Sequence, residues 1–240
     1  MKKCLLCLLV CFVFFSMQQT FARSNQEDYR YLDGLALAAG ADKGSNYHNY
    51  TEIYARYFAS LKEQPIKFLE IGIYKGNSVK LWENYFKNAD LHFMDITLEK
   101  VEYFSQRSHY HIANQASPQD LRRFIEETRG NFDVILDDGG HTMIQQVMSF
   151  KYLFPHVKSG GLYIIEDLHT SYWEIFGGGN HPRTTIAFLK GLIDDVNFVG
   201  ARTTKASHLN VDPSLEGLDL YRAQIESIHF YDSVAIIIKR

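Results

Sequence analysis

Apolar positions change period several times along the chain, and each change marks an element. From Tyr50 to Leu61, the residues Ile53, Tyr54, Tyr57, Phe58 and Leu61 recur at helical spacing, which predicts an amphipathic helix. Pro65–Ile71 reads as a short buried strand, Gly72 to Gly76 as a turn, and Ser78–Phe86 returns to helical period. Leu91–Ile96, Tyr110–Ala113, Phe132–Asp137 and Gly160–Ile165 read as further strands. Helices opening at Pro118 and spanning His141–Phe154 separate them. A Gly/His-rich loop, a helix around Ile186–Ile193 and two β-rich runs, Ile225–Tyr231 and Ser233–Lys239, close the chain, the last two as an antiparallel pair. Residues 23–45 begin polar, carry an apolar patch at Leu35–Ala39 and are broken by Gly34, Gly40 and Gly44, so they read as an N-terminal arm or loop. Strand and helix alternate through the middle without repeat or low-complexity linker. The expected fold is one α/β domain over residues 46–240, doubly wound around a mostly parallel, Rossmann-like sheet with a C-terminal antiparallel strand pair.

The first 22 residues stand apart. Met1-Lys2-Lys3 precedes an apolar run from Cys4 to Phe15, and Thr20-Phe21-Ala22 supplies a small-residue exit. This is the pattern of a secretory signal peptide cleaved before Arg23, and it predicts export. A buried core helix is the competing reading, but it would leave Lys2 and Lys3 at its end. A start at Met17 would instead give a cytoplasmic protein. All 3 cysteines lie in this segment, so the processed chain forms no disulfide and depends on core burial.

Composition narrows the partners. With 46% hydrophobic and 22% charged residues the 240-residue chain is ordinarily globular. A net charge of −3 argues against a nucleic-acid partner, which would require a basic face. No apolar run reaches the ~20 residues of a bilayer span, so no stable membrane insertion is expected after processing. Self-association is compatible with the sequence.

Ligands of open α/β sheets bind at the carboxyl ends of the strands, so the candidate chemistry lies there. The first strand ends in Glu70-Ile71-Gly72-Ile73-Tyr74-Lys75-Gly76, where glycines allow close backbone approach. This is neither the dinucleotide G-x-G-x-x-G pattern nor a P-loop. An acid before the glycine turn repels pyrophosphate but suits a cationic ligand such as S-adenosylmethionine. Asp95 ends the second strand, where a carboxylate can receive ribose hydroxyls or cap the following segment. Asn114 and Gln115 follow the third and offer polar groups to an adenine edge, or simply form a turn. Asp137-Asp138-Gly139-Gly140-His141 and Glu166-Asp167-Leu168-His169 follow the fourth and fifth. Carboxylates packed this closely need a cation or strong donors, and an oxygen-rich set suits a hard ion, Mg2+ or Ca2+, with Mn2+ an equivalent of Mg2+. The competing reading is that Asp138 and Asp167 cap the following helices.

Phe68-Leu69-Glu70-Ile71-Gly72, Asp137-Asp138-Gly139-Gly140-His141 and Ile165-Glu166-Asp167-Leu168 together resemble the metal-dependent class I S-adenosylmethionine O-methyltransferases that modify deoxysugars, such as the mycinamicin and tetracenomycin sugar O-methyltransferases. Ala41-Asp42-Lys43-Gly44, His48-Asn49-Tyr50-Thr51 and Thr170-Ser171-Tyr172-Trp173 with Gly177–Gly179 extend the likeness from about residue 38 to the end. The resemblance implies that Asp138, Glu166 and Asp167 hold the metal and that His141 is the general base. It implies that Glu70, Gly72, Gly76 and Asp95 hold S-adenosylmethionine, with Asp137 near its methionine portion. Two positions depart from the family pattern: Ala41 stands where Thr is usual and Asn114 where Asp is usual. Both bear on cofactor affinity.

A methyltransferase of this kind would act on a hydroxyl of a sugar or glycosylated small molecule, with Tyr172, Trp173 and the Gly177–Asn180 run as lid or acceptor platform. The alternative is an exported, non-catalytic metal- or glycan-binding module on the same fold, because an exported enzyme lacks a cytosolic methyl donor.

Overall fold

Strand β1 (Lys67–Ile71) occupies the middle of a seven-stranded sheet in the computed structural model, which describes residues 25–197 and 224–240. The expected export segment, residues 1–22, lies outside the described residues. On one side of β1 stand β2 (Asp90–Asp95) and β3 (Ser108–Ile112). On the other stand β4 (Phe132–Asp137), β5 (Val157–Ile165), β6 (Ile225–Tyr231) and β7 (Val234–Lys239), in the order β3-β2-β1-β4-β5-β7-β6. β7 is antiparallel to both β5 and β6, whereas the pairs among β1 to β5 are parallel. The chain winds outward from β1 to β3 and then returns to β4 on the opposite side of β1. That reversal makes β1/β4 the switch point at which such sheets open a ligand crevice.

Register carries the chemistry to one level. Ile71 pairs with both Met94 and Asp137, and Asp137 pairs with Ile165. Four carboxyl-terminal strand ends therefore finish side by side. Because side chains alternate along a strand, Phe68, Val134, Leu136 and Ile164 enter one core layer and Leu69, Ile71, Ile135, Tyr163 and Ile165 the other. The first layer is covered by α1 (residues 25–39), α2 (Tyr50–Phe58) and α3 (Asn77–Tyr85). The second is covered by α4 (Pro118–Thr128), α5 (Met143–Leu153) and α6 (Thr185–Gly191), and the short α7 (Ile193–Val196) lies against β6. Trp82 anchors the first layer, with ring centroids 5.4 Å from Phe68, 5.7 Å from Phe58 and 6.0 Å from Tyr54.

Two local expectations need correction. Residues 25–39 are a helix, not a loose arm: Leu32 and Ala36 are fully buried four residues apart, Leu35 and Ala39 pack beside them, and Gly34 faces outward where a missing side chain leaves no hole. Gly40, at φ 70°, ends this helix in the left-handed conformation. The helix after β4 starts at Met143 rather than His141, because Thr142 accepts the Gln145 N–H while the Gln145 side chain returns to the Thr142 backbone.

Candidate active site

The β1/β4 switch point opens into a cavity of about 520 Å³. Gly72 to Lys75, Asp95 to Thr97, Ala113 to Gln115 and Asp138 to Gly140 line it. Asp95 holds the glycine turn: its Oδ2 accepts the Ile73 N–H at 2.7 Å and the Tyr74 N–H at 3.2 Å. Its Oδ1 takes only a long 3.4 Å contact from the Thr97 N–H. Gly72 has φ +96°, and a Cβ there would run into the Asp138 backbone carbonyl, so β1 and β4 close against each other only with glycine. Gly72→Ala is expected to destabilise the fold by about 1–3 kcal/mol from backbone strain alone, with further loss from the collision. Gly34→Ala, in open space on α1, serves as the control and should be neutral or slightly stabilising. Urea unfolding of the two variants measures the difference, and equal stability would refute the close-approach argument.

Of the residues the sequence assigns to a cofactor, Gly72, Asp95, Asn114 and Gln115 line this cavity. Three do not. Glu70 is fully buried behind the turn, where it accepts hydrogen bonds from Ser78 (2.6 Å) and Trp82 (3.1 Å). Burial raises its pKa to about 7 against the opposing pull of Lys43. Gly76, at φ +89°, is pressed against the Tyr103 carbonyl. Asp137 points to the opposite core layer from Asp138, as strand alternation requires, and is bonded by Gln115 at 3.0 Å and by Ser149. Burial pushes its pKa up to about 6. These three shape the wall without facing the cavity. Gln115 lines the cavity but works as a brace, donating to Asp137 and accepting the Gly140 N–H at 2.7 Å, so its amide is committed to the β4 loop. Asn114 likewise spends its Oδ1 on the Ala116 N–H at 2.9 Å.

Beside the cavity, strand alternation turns Glu70, Asp138 and Glu166 to one face, and the cation they enclose is Lys43. Its ammonium is fully buried, bonded to Asp138, 2.8 Å from Glu166 and 3.6 Å from Glu70. Burial alone would lower the lysine pKa. Attraction to Asp138, Glu166 and Glu70 outweighs that and holds it well above the usual lysine range. Glu166 is raised by burial and by repulsion from Asp138, with Lys43 and Tyr54 opposing. The lysine stays charged, since three carboxylates face one ammonium and the surplus negative charge falls on the acids.

A network of backbone and side-chain bonds delivers Lys43. Asp33 on α1 accepts the Ser45 N–H and hydroxyl, each at 2.7 Å, and the Thr51 hydroxyl at 2.9 Å. The Lys43 carbonyl takes the Thr51 N–H at 3.0 Å. In the sequence Lys43 stands within Ala41-Asp42-Lys43-Gly44 with no sign of this burial.

His141 and Asp167 complete the cluster. Both are non-glycine residues in the left-handed region, at φ 57° and 55°, a strain retained where it aims a side chain. His141 Nε2 lies 3.4 Å from Asp167 and 3.9 Å from Asp138, and Asp167 also accepts the Tyr50 hydroxyl at 2.7 Å. Burial raises the Tyr50 pKa and keeps it a donor. Neither acid caps a helix: Thr142 caps α5, and Asp167 makes no side-chain bond to the turn it begins. Asp138, His141 and Asp167 offer ligand atoms all within 4.8 Å of one another, and His141 Nδ1 is buried without a hydrogen-bond partner. This donor set, with surplus negative charge, fits a divalent ion. Glu166 stands beside this group with its two oxygens bonded by Tyr54 and Lys43, the lysine also bonding Asp138.

A second cavity adjoins the cluster through Tyr50 and is lined by Tyr47, His48, Arg56, His169 and Tyr231 among others. The Trp173 ring lies 4.5 Å from that of His169, and Trp173 and the preceding Tyr172 are 50% and 67% exposed.

Residues 69–168 match a methyltransferase domain family. Over 239 residues the chain is 32% identical to the 8-demethyl-8-alpha-L-rhamnosyl tetracenomycin-C 2'-O-methyltransferase of Streptomyces olivaceus, covering 95% of this chain and 60% of that protein. Over 208 residues it is 36% identical to the L-olivosyl-oleandolide 3-O-methyltransferase of Streptomyces antibioticus, covering 82% and 53%. Among solved structures, the MycE methyltransferase from the mycinamycin biosynthetic pathway, in complex with Mg, SAH and mycinamycin VI, superposes with a TM-score of 0.73 at 30% identity. That match covers 87% of this chain and 54% of MycE. The chain thus spans between about half and three-fifths of the length of these relatives. The sheet is that of a class I methyltransferase, residues 69–168 are a methyltransferase domain, and over most of its length the chain is similar to these O-methyltransferases.

Proposed function

We propose that this chain transfers a methyl group from S-adenosylmethionine to a hydroxyl of a sugar or glycosylated small molecule, with Mg2+ or Mn2+ at the carboxylate cluster. The observation that carries the reading is the adjacency of two features. The switch-point cavity ends against Asp138, and Asp138 belongs to the Asp138–His141–Asp167 group beside it. The names of two relatives, O-methyltransferases of a rhamnosyl tetracenomycin and of an olivosyl-oleandolide, support the acceptor class.

In this reading the Gly72–Tyr74 turn runs beneath the cofactor and Asp95 receives a ribose hydroxyl. Asn77 and Ser78, at the start of α3, receive its carboxylate, and Asn114 borders the adenine. Asp138 and Asp167 would hold the divalent ion, with Glu166 behind them. When bound, that ion supplies a lowered pKa for the acceptor hydroxyl and orients it. The acceptor oxygen attacks the methyl carbon in line with the departing sulfur, so the C–O bond forms as the C–S bond breaks and the sulfur leaves as a neutral thioether. His141 takes the hydroxyl proton at Nε2, where Asp167 lies 3.4 Å away. Tyr172 and Trp173 offer exposed rings on which a sugar can stack.

Isothermal titration of the chain with S-adenosylmethionine should give micromolar binding. Absence of binding would favour the non-catalytic metal- or glycan-binding module instead. With radiolabelled cofactor and a panel of glycosylated polyketides, EDTA should lower methyl transfer by about 100-fold, and Mg2+ should restore it, because metal assistance is worth several kcal/mol. Undiminished turnover in chelator would remove the ion from the mechanism.

A further inference from the structure

The opposite end of the sheet carries a second cluster with different chemistry. β2 and β3 pair with His92 opposite His109 and Met94 opposite His111, so alternation sets Asp90, His92, His109 and His111 on one face of the sheet edge. Asp90 and Asp95 are the two ends of β2, roughly 16 Å apart, so this cluster is remote from the cavity that Asp95 lines. Asp90 stands between the two imidazoles: its Oδ2 is 3.1 Å from His92 Nε2 and its Oδ1 is 3.2 Å from His109 Nε2. All three ligand atoms lie within 4.8 Å of one another. The His92 and His109 rings are stacked, with centroids 4.8 Å apart and planes at 26°.

We propose that Asp90, His92 and His109 form a binding site for a transition-metal dication of the zinc class, separate from the carboxylate cluster. Two imidazoles and one carboxylate are a borderline-soft donor set that favours Zn2+, Co2+, Ni2+ or Cu2+ over Mg2+. Accessibility is graded as a site requires. His92 is buried, whereas the Asp90 and His109 side chains are 50% and 60% exposed, so an ion can enter from solvent and water can fill the open position.

The surroundings hold His92 in the orientation a ligand needs. Its Nδ1 lies 3.0 Å from His111 Nε2, and His111 Nδ1 faces Glu127 at 4.0 Å. Phe132 packs edge-on against His92 at 5.6 Å, and Phe124 against His111 at 4.9 Å, which fixes both rings. Without metal, His111 Nε2–H donates to His92 Nδ1 and His92 Nε2–H donates to Asp90. With metal on His92 Nε2, both rings take the other tautomer. His92 Nδ1–H then donates to His111 Nε2, and His111 Nδ1–H is directed to Glu127. No net proton is gained or lost. The second state is the carboxylate–histidine–metal relay that orients ligands in metal centres. Because β3 is the edge strand, an ion here staples it to β2.

The test uses the full chain, stripped of metal and then held in excess Mg2+ to occupy the carboxylate cluster. Titration with Co2+, read by its visible absorption bands and competed by Zn2+, should show one equivalent bound in the native chain and in Asp138→Asn. His109→Ala should abolish it. The exposed position of His109 protects the fold, and circular dichroism checks that it does. His111→Ala should weaken binding by roughly 10–100-fold, the usual effect of losing an outer-shell partner. Zn2+ should also raise the thermal midpoint of the native chain and Asp138→Asn but not of His109→Ala. Failure of the native chain to bind micromolar Co2+, or retention of binding by folded His109→Ala, overturns the proposal. So does loss of the bands in Asp138→Asn alone.

Discussion

Replacing His141 with alanine should lower methyl transfer by roughly 10²–10⁴-fold, the usual contribution of a positioned general base, while S-adenosylmethionine affinity stays unchanged. The separation follows from where His141 lies. It borders Asp138 and Asp167 but is absent from the lining of the switch-point cavity. Asparagine tolerates the left-handed backbone that His141 adopts, so His141→Asn keeps the local geometry and should lose as much activity. Turnover is measured with radiolabelled cofactor, and affinity by calorimetry. If asparagine restores most of the rate, His141 positions its neighbours and does not carry the proton. If cofactor affinity falls in parallel with rate, the residue belongs to the cofactor site.

Lys43→Met should cost about 3–5 kcal/mol in metal-free buffer, because it strips the ammonium from the buried Glu70 and Glu166 and the partly exposed Asp138 and leaves their repulsion uncompensated. Methionine preserves the volume of the side chain, so cavity formation adds little. Addition of Mg2+ should recover part of the loss by mass action on the native state. Urea unfolding with EDTA and then with Mg2+ reads both effects. A loss below about 1 kcal/mol would mean that the acids are neutral in the folded chain and have no need of the lysine.

The strand framework was legible in the sequence because its signals are local. Phe132–Asp137 alternates Phe132, Val134 and Leu136 with Ile135 between two aspartates, and it carries its own punctuation in Asp138-Gly139-Gly140. The convergence of Asp138 and Asp167 was legible for the same reason, once two neighbouring strands were known to end there. Three features were not. The helix over residues 25–39 hides behind Gly34, whose outward position only the packed structure reveals. The burial of Lys43 depends on Glu166, 123 residues away, and no local pattern distinguishes such a lysine from a solvated one. Glu70 and Asp137 sit at strand ends where ligand-binding acids belong, yet alternation turns one toward Trp82 and the other toward Ser149. An odd–even count along β4 separates Asp137 from Asp138 without any structure.

The Asp33 anchor has a consequence for how this protein is divided. A fragment trimmed to the alternating strands and helices, from residue 46 onward, would retain every carboxylate of the cluster and lose the countercharge that lets them share one chamber. The smallest autonomous unit therefore begins ahead of Asp33, and the stretch that reads as an arm or loop is the keystone of the vault it precedes.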